Sequence, residues 1–202
     1  MEVSLSTSIN FIWQAAPVLT LFEIMPKASH VASGLALDCA LAAALVSFRG
    51  TVDLTNWIEN IKSLILVDYP YNGCPGCKVA DGFSQGYGLL RDQVLAALTR
   101  MGVGPGNGKV VLTGHSLGAA MAGLCAMDLK SLGYDVAGYT FGQPRDGDAA
   151  YAQTYNQMFP RDLGQWFHVV HQADIVAHLP PEFLGFHHTG TEVWYNEDFS
   201  SY

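Results

Sequence analysis

Two hydrophobic periods alternate along the chain. Residues 41–48 are an apolar run that stops at Arg49-Gly50-Thr51, as a buried strand does at its end. Leu54, Trp57, Ile58 and Ile61 fall at i, i+3, i+4 and i+7, the spacing of a short amphipathic helix, and Asn56 with Glu59 three residues on forms a capping box. Residues 63–69 are a second strand-like run. Leu90, Val94, Ala97, Leu98 and Met101 mark one face of a long helix. Residues 102–108 hold four Gly and one Pro and read as a loop. A strand over 109–113, a helix over 117–132, strands over 136–141 and 167–170, and a helix-like stretch over 148–158 complete the pattern. Strands alternating with helices predict an α/β domain whose largely parallel central sheet carries helices on both faces. Residues 34–202 read as one such domain.

Residues 1–33 read as a separate, poorly defined N-terminal segment. Its apolar stretch, 11–22, is interrupted by Gln14 and Pro17. As a secretory signal it lacks a positive n-region, because Glu2 stands at the start and the first basic residue is Lys27. The other reading is a packing helix or a badly ordered terminus.

Composition narrows the function. The 202 residues amount to about one domain. Half are hydrophobic and 14% are charged, against about 25% charged in an ordinary domain, which excludes a disordered chain. Ten basic against eighteen acidic residues give a net charge of −8, so nucleic acid is not the expected partner. The longest apolar stretches are broken by Gln14, Pro17, Asp38 or Arg49, short of the roughly 20 residues a membrane-spanning helix needs. Four Cys are too few for a disulfide-built scaffold.

The chemistry concentrates at Gly114-His115-Ser116-Leu117-Gly118, a G-x-S-x-G sequence. An apolar strand, Val110-Val111-Leu112, runs into it, and a helix rich in Gly and Ala runs out of it. That context predicts a nucleophile elbow, in which a tight strand-to-helix turn lifts Ser116 to the N-terminus of the helix. There the helix dipole and free N–H groups favour a developing oxyanion. His115 reads as a packing residue directed away from the chemistry. No metal site is expected: no HExxH is present, and His168 and His171 face opposite sides of a strand. Cys74-Pro75-Gly76-Cys77 would need a helix opening at the motif to serve as a redox pair, and two further ligands to hold zinc, whereas Cys39 and Cys125 are isolated.

These residues resemble the fungal-type class 3 lipases and the related feruloyl esterases. The resemblance spans about 34–199. It rests on Ser47-Phe48-Arg49-Gly50-Thr51, Asn56-Trp57-Ile58, the elbow, Tyr139-Thr140-Phe141-Gly142-Gln143-Pro144-Arg145, Asp174-Ile175-Val176-Ala177-His178-Leu179-Pro180-Pro181 and His188-Thr189-Gly190-Thr191-Glu192-Val193-Trp194. It implies an α/β-hydrolase fold and hydrolysis of an ester or lipid substrate at a lipid–water interface, without a cofactor. Ser116 would be the nucleophile and Asp174 the triad acid. Leu117, through its N–H, and Thr51 would form the oxyanion hole, and Trp57 would sit in a lid. Cys74 and Cys77 match a small disulfide loop of some members, which implies an oxidising, secreted setting. The family's catalytic His lies some fifty residues beyond the acid, whereas Tyr202 follows Asp174 by 28. The expectation is therefore a chain lacking its C-terminal closing segment, with Phe183, Phe186, Trp194 and Tyr195 partly exposed. A feruloyl or other small-ester esterase is the alternative enzyme. A non-catalytic lipid-binding remnant is the alternative of another class.

Overall fold

The computed structural model describes residues 19–23, 43–50, 61 and 64–196, with backbone alone for 19–23 and 43. In chain order these form β1 (Leu19–Glu23), β2 (Ala43–Phe48), β3 (Leu66–Asp68), β4 (Lys78–Ala80), α1 (Asp81–Arg100), β5 (Lys109–His115), α2 (Leu117–Ser131), β6 (Asp135–Phe141), α3 (Ala149–Met158), β7 (Trp166–His171) and β8 (Thr191–Tyr195). Six strands make one sheet in the order β1-β2-β5-β6-β7-β8. β1 is antiparallel to β2, and every later pairing is parallel. β3 and β4 form a separate antiparallel ribbon. The mostly parallel sheet with helices is the α/β-hydrolase arrangement expected from the alternation of strands and helices; the three α-helices among the described residues pack on one face of it, where helices on both faces were expected.

Strand alternation sets the two sheet faces. Val46, Leu112, Gly138 and Trp166 stand in one row across β2, β5, β6 and β7, and the whole row lies on the buried face. α2 packs on that face and is apolar nearly all round, with thirteen of its fifteen residues buried. A helix with that composition is a core element rather than a surface one. α1 and α3 flank it. Tyr87 of α1 meets Phe48 edge-on at 6.4 Å, and Tyr155 of α3 meets Trp166 at 5.7 Å, so both reach the same sheet face. Among the described residues, Trp194 and the rest of β8 pair with β7 alone, at the edge of the sheet.

Two buried polar clusters lie within this core. Asp128, inside α2 and fully buried, accepts from Tyr87 Oη at 2.7 Å and from Arg91 Nε at 2.7 Å, with Arg91 Nη2 at 3.2 Å from the other carboxylate oxygen. Near α3, Gln143 Nε2 donates to Asp146 Oδ2 at 2.6 Å, and burial pushes the Asp146 carboxyl well above the usual range against the opposing pull of its hydrogen bonds with Gln143 and Thr189.

Cys74 and Cys77 are joined as a disulfide, both buried, and Cys125 is a free buried thiol. Cys39 and residues 54–60 lie outside the described residues, although Ile61 is buried. β1 falls within the segment read as poorly defined. Phe183 is 86% exposed and Trp194 41%, as expected of a thinly covered C-terminal region, and Tyr195 is half-buried. Phe186 departs from the expectation: it is 1% exposed and belongs to the main core, and His187 beside it is tied by its N–H to the Gly147 carbonyl.

Candidate active site

β5 delivers the chain to Ser116, and α2 begins one residue later. The turn is tight enough that Ser116 adopts φ 57°, ψ −123°. Such a backbone costs a non-glycine residue about 1–3 kcal/mol and persists only where its surroundings impose it. They do so here by close backbone approach. A Cβ on Gly118 would stand 2.2 Å from the Phe48 carbonyl oxygen, and one on Gly114 would stand 2.3 Å from that of Gly118. Only glycine at both positions lets β2, β5 and α2 converge this closely. The Ser116 N–H donates to the Phe141 carbonyl at 3.0 Å, and the Ser116 carbonyl accepts from Ala119 at 2.9 Å. Its hydroxyl is buried and has no hydrogen-bond partner among the described residues. Leu117 starts the helix, where the first N–H groups lack intrahelical acceptors and the dipole is positive.

Asp174 follows β7, two strands away in the sheet. Its Oδ1 accepts from the Val176 N–H at 2.9 Å, which fixes the carboxylate. Its Oδ2 points towards Gly142, at the end of β6, where a Cβ would lie 2.6 Å from it. The loop beyond is clamped by Arg145. One guanidinium nitrogen donates to the His178 and Pro180 carbonyls, the latter at 3.0 Å, and the other donates to Glu182 at 3.2 Å. Gln172, at the turn after β7, has φ 47°. Ser116 and Gln172 are the two non-glycine residues with positive φ among the described residues, and both stand at the carboxyl ends of sheet strands. Ligand sites of open α/β sheets collect there.

A cavity of about 500 Å³ lies at this end of the sheet, lined by His115, Phe141, Gly142, Val169, His171, Gln172, Ala173, Asp174 and Tyr195. His115 is exposed and lines it, which corrects its reading as a packing residue directed away from the chemistry. The strand alternation that buries Gly114 turns His115 to the other side.

The downstream histidines are placed otherwise. His188 stacks on buried His168, with ring centroids 4.9 Å apart, and bonds through Nε2 to the Ala177 carbonyl. Burial holds His188 down to about 4 and His168 down to about 3. Both are neutral packing groups. Thr51 and Trp57 lie outside the described residues; Gly50, the last described residue before Thr51, rests against the His115 carbonyl. No group of three or more His, Cys, Asp or Glu that could hold a metal occurs among the described residues, and no described helix is long and apolar enough to cross a membrane.

Comparison with known proteins gives a consistent result. The family model described as lipase (class 3) matches residues 45–184. A lipase of Rhizomucor miehei is 36% identical over 158 residues, covering 76% of this chain and 42% of the relative. A secreted mono- and diacylglycerol lipase of Malassezia restricta is 36% identical over 157 residues, covering 75% of this chain and 51% of the relative. The solved Rhizomucor miehei lipase–propeptide complex superposes with a TM-score of 0.65 at 35% identity, covering 79% of this chain and 50% of that one. The chain thus spans about half the length of the curated relatives it matches.

Proposed function

The chain belongs to the class 3 lipase family, and we propose that it hydrolyses carboxylic esters of the acylglycerol class by acyl transfer through Ser116. The observation that carries this reading is the elbow: a buried serine at φ 57°, at the head of α2, with an unengaged hydroxyl. A strained backbone at the positive end of a helix suits a nucleophile whose product is an oxyanion. In this reading Ser116 Oγ attacks the ester carbonyl and expels the alcohol. The Leu117 N–H and Thr51 stabilise the tetrahedral oxyanion, each donor being worth about 3–4 kcal/mol. Asp174, held through Oδ1, offers Oδ2 to orient a general base, which takes the serine proton and returns it to the departing alcohol before water releases the acid from Ser116. Trp57 belongs to a lid that responds to a lipid–water interface, and residues 34–202 are the catalytic unit. Secretion agrees with the buried Cys74–Cys77 bridge and with relatives named as secreted.

A second reading is a non-catalytic lipid-binding module, favoured by the lack of any hydrogen-bonded base on Ser116 Oγ among the described residues. A fluorophosphonate probe separates the two. Labelling mapped to Ser116 by mass spectrometry, with ester turnover falling at least about 10³-fold in Ser116→Ala, supports the enzyme. An unlabelled wild-type chain that still binds lipid vesicles overturns it. Comparing triacylglycerol, diacylglycerol and methyl ferulate then sorts the acylglycerol reading from the small-ester alternative.

A further inference from the structure

We propose that His115 is a positioning residue for Asp174, a role that rests on the ester-hydrolysis reading above. The imidazole lies between the ends of the two strands that flank β5. Its Nδ1 is 3.7 Å from the place a Cβ on Gly50 would occupy, at the end of β2. Its Nε2 is 3.6 Å from the place a Cβ on Gly142 would occupy, at the end of β6. That second position also lies 2.6 Å from Asp174 Oδ2. One methyl-sized space over Gly142 therefore touches both the imidazole and the free carboxylate oxygen.

The arrangement suits a polar brace. Oδ1 of Asp174 is already occupied by the Val176 N–H, so the carboxylate is fixed at one end. Oδ2 can accept more than one hydrogen bond. An Nε2–H of His115, through one water in the cavity, fills one acceptor direction of Oδ2 and leaves the other for the group that serves Ser116. His115 also adjoins Ser116 in the chain, and a Cβ on Gly50 would stand 2.7 Å from its carbonyl oxygen. A shift of its ring is thus transmitted to the nucleophile's strained backbone as well as to the acid.

A purely steric filler would need only the ring's shape, so three variants separate the roles. His115→Phe keeps an aromatic ring without nitrogen, His115→Gln keeps an N–H at similar reach, and His115→Ala keeps neither. The readout is the rate of fluorophosphonate labelling at Ser116, with kcat and KM for a soluble short-chain ester. We expect His115→Phe and His115→Ala to lose about 10–100-fold in labelling rate and kcat with KM little changed, and His115→Gln to recover at least half of that loss on a logarithmic scale. Phe matching the wild type, or Gln failing as Ala does, overturns the brace while the ester-hydrolysis reading stands. A wild-type chain that leaves Ser116 unlabelled overturns both.

Discussion

Arg91→Met should be among the most damaging changes away from the cavity, because of what it leaves behind. Asp128 is fully buried inside α2, and its charge is met by the Arg91 fork from α1 and by one tyrosine hydroxyl. Removing Arg91 strands a carboxylate in the core. Such a loss costs about 3–5 kcal/mol when both partners are buried. The Arg91 side chain is 26% exposed, so water already screens part of the pair, and about 2–4 kcal/mol is the expected cost. For a chain of this size that lowers Tm by about 5–15 °C. Asp128→Leu should cost less, about 1–3 kcal/mol, since Arg91 can turn to solvent and the main loss is the Tyr87 hydrogen bond. The double variant should fall within about 1 kcal/mol of Asp128→Leu, because the stranded charge is gone. Urea unfolding of the four proteins measures this. An Arg91→Met cost below about 0.5 kcal/mol, or one smaller than that of Asp128→Leu, would show that Arg91 does not hold the buried Asp128 charge.

Two pH predictions follow from the other buried groups. The raised carboxyl of Asp146 makes the fold prefer its protonated form, so that contribution is complete below about pH 4 and is lost as pH rises towards the folded value. Each tenfold preference for the proton is worth about 1.4 kcal/mol. Asp146→Asn should therefore gain Tm relative to wild type between pH 4 and pH 8, and a difference that stays flat with pH contradicts the assignment. His168 has the opposite sign. Its folded value is depressed to about 3, so stability is complete above about pH 6.5 and drains away as the solution is acidified. Replacing it with Phe should remove about 2–3 kcal/mol of acid sensitivity between pH 7.5 and pH 4.5, read from urea midpoints; an unchanged acid limb in the variant would show that His168 is not the titrating group.

The parts of this fold that were legible in the sequence are those where one local signal dominates. The β5–α2 unit announces itself by a Val-rich run, a glycine-flanked serine and an apolar helix, because close backbone approach admits few residue types. The start of α1 was hidden: Gly82, Gly86 and Gly88 lie in its first turns and dilute the helix signal, although Asp81 sits favourably in the first turn. β4 and β8 are short, three and five residues, and each is defined by pairing with the strand before it rather than by its own pattern. His115 was misread because its direction follows from the sheet face, which a motif does not specify. The burial of Asp128, Asp146 and His168 was likewise invisible, since charged and titratable residues read as surface until their neighbours are known. Phe186 reads as exposed for the converse reason: its burial comes from joining the main core, most of whose members lie far earlier in the chain.

The sheet order separates the proposed nucleophile from the proposed acid by a whole strand. β6 runs between β5, which carries Ser116, and β7, which leads to Asp174. Parallel neighbours stand about 4.8 Å apart, so the two strand ends are about 10 Å from one another. Two short side chains cannot close that gap. In the proposed reaction the proton stops on the base: a group that takes it from Ser116 while being oriented by Asp174 needs a hydrogen-bonding atom at each end to span the tip of β6. Gly142 stands at that tip, with no side chain to occupy the space. The interposed strand acts as a spacer: it holds the carboxylate apart from the serine, and its bare tip leaves room for Oδ2 of Asp174 and the His115 ring to approach one another over Gly142.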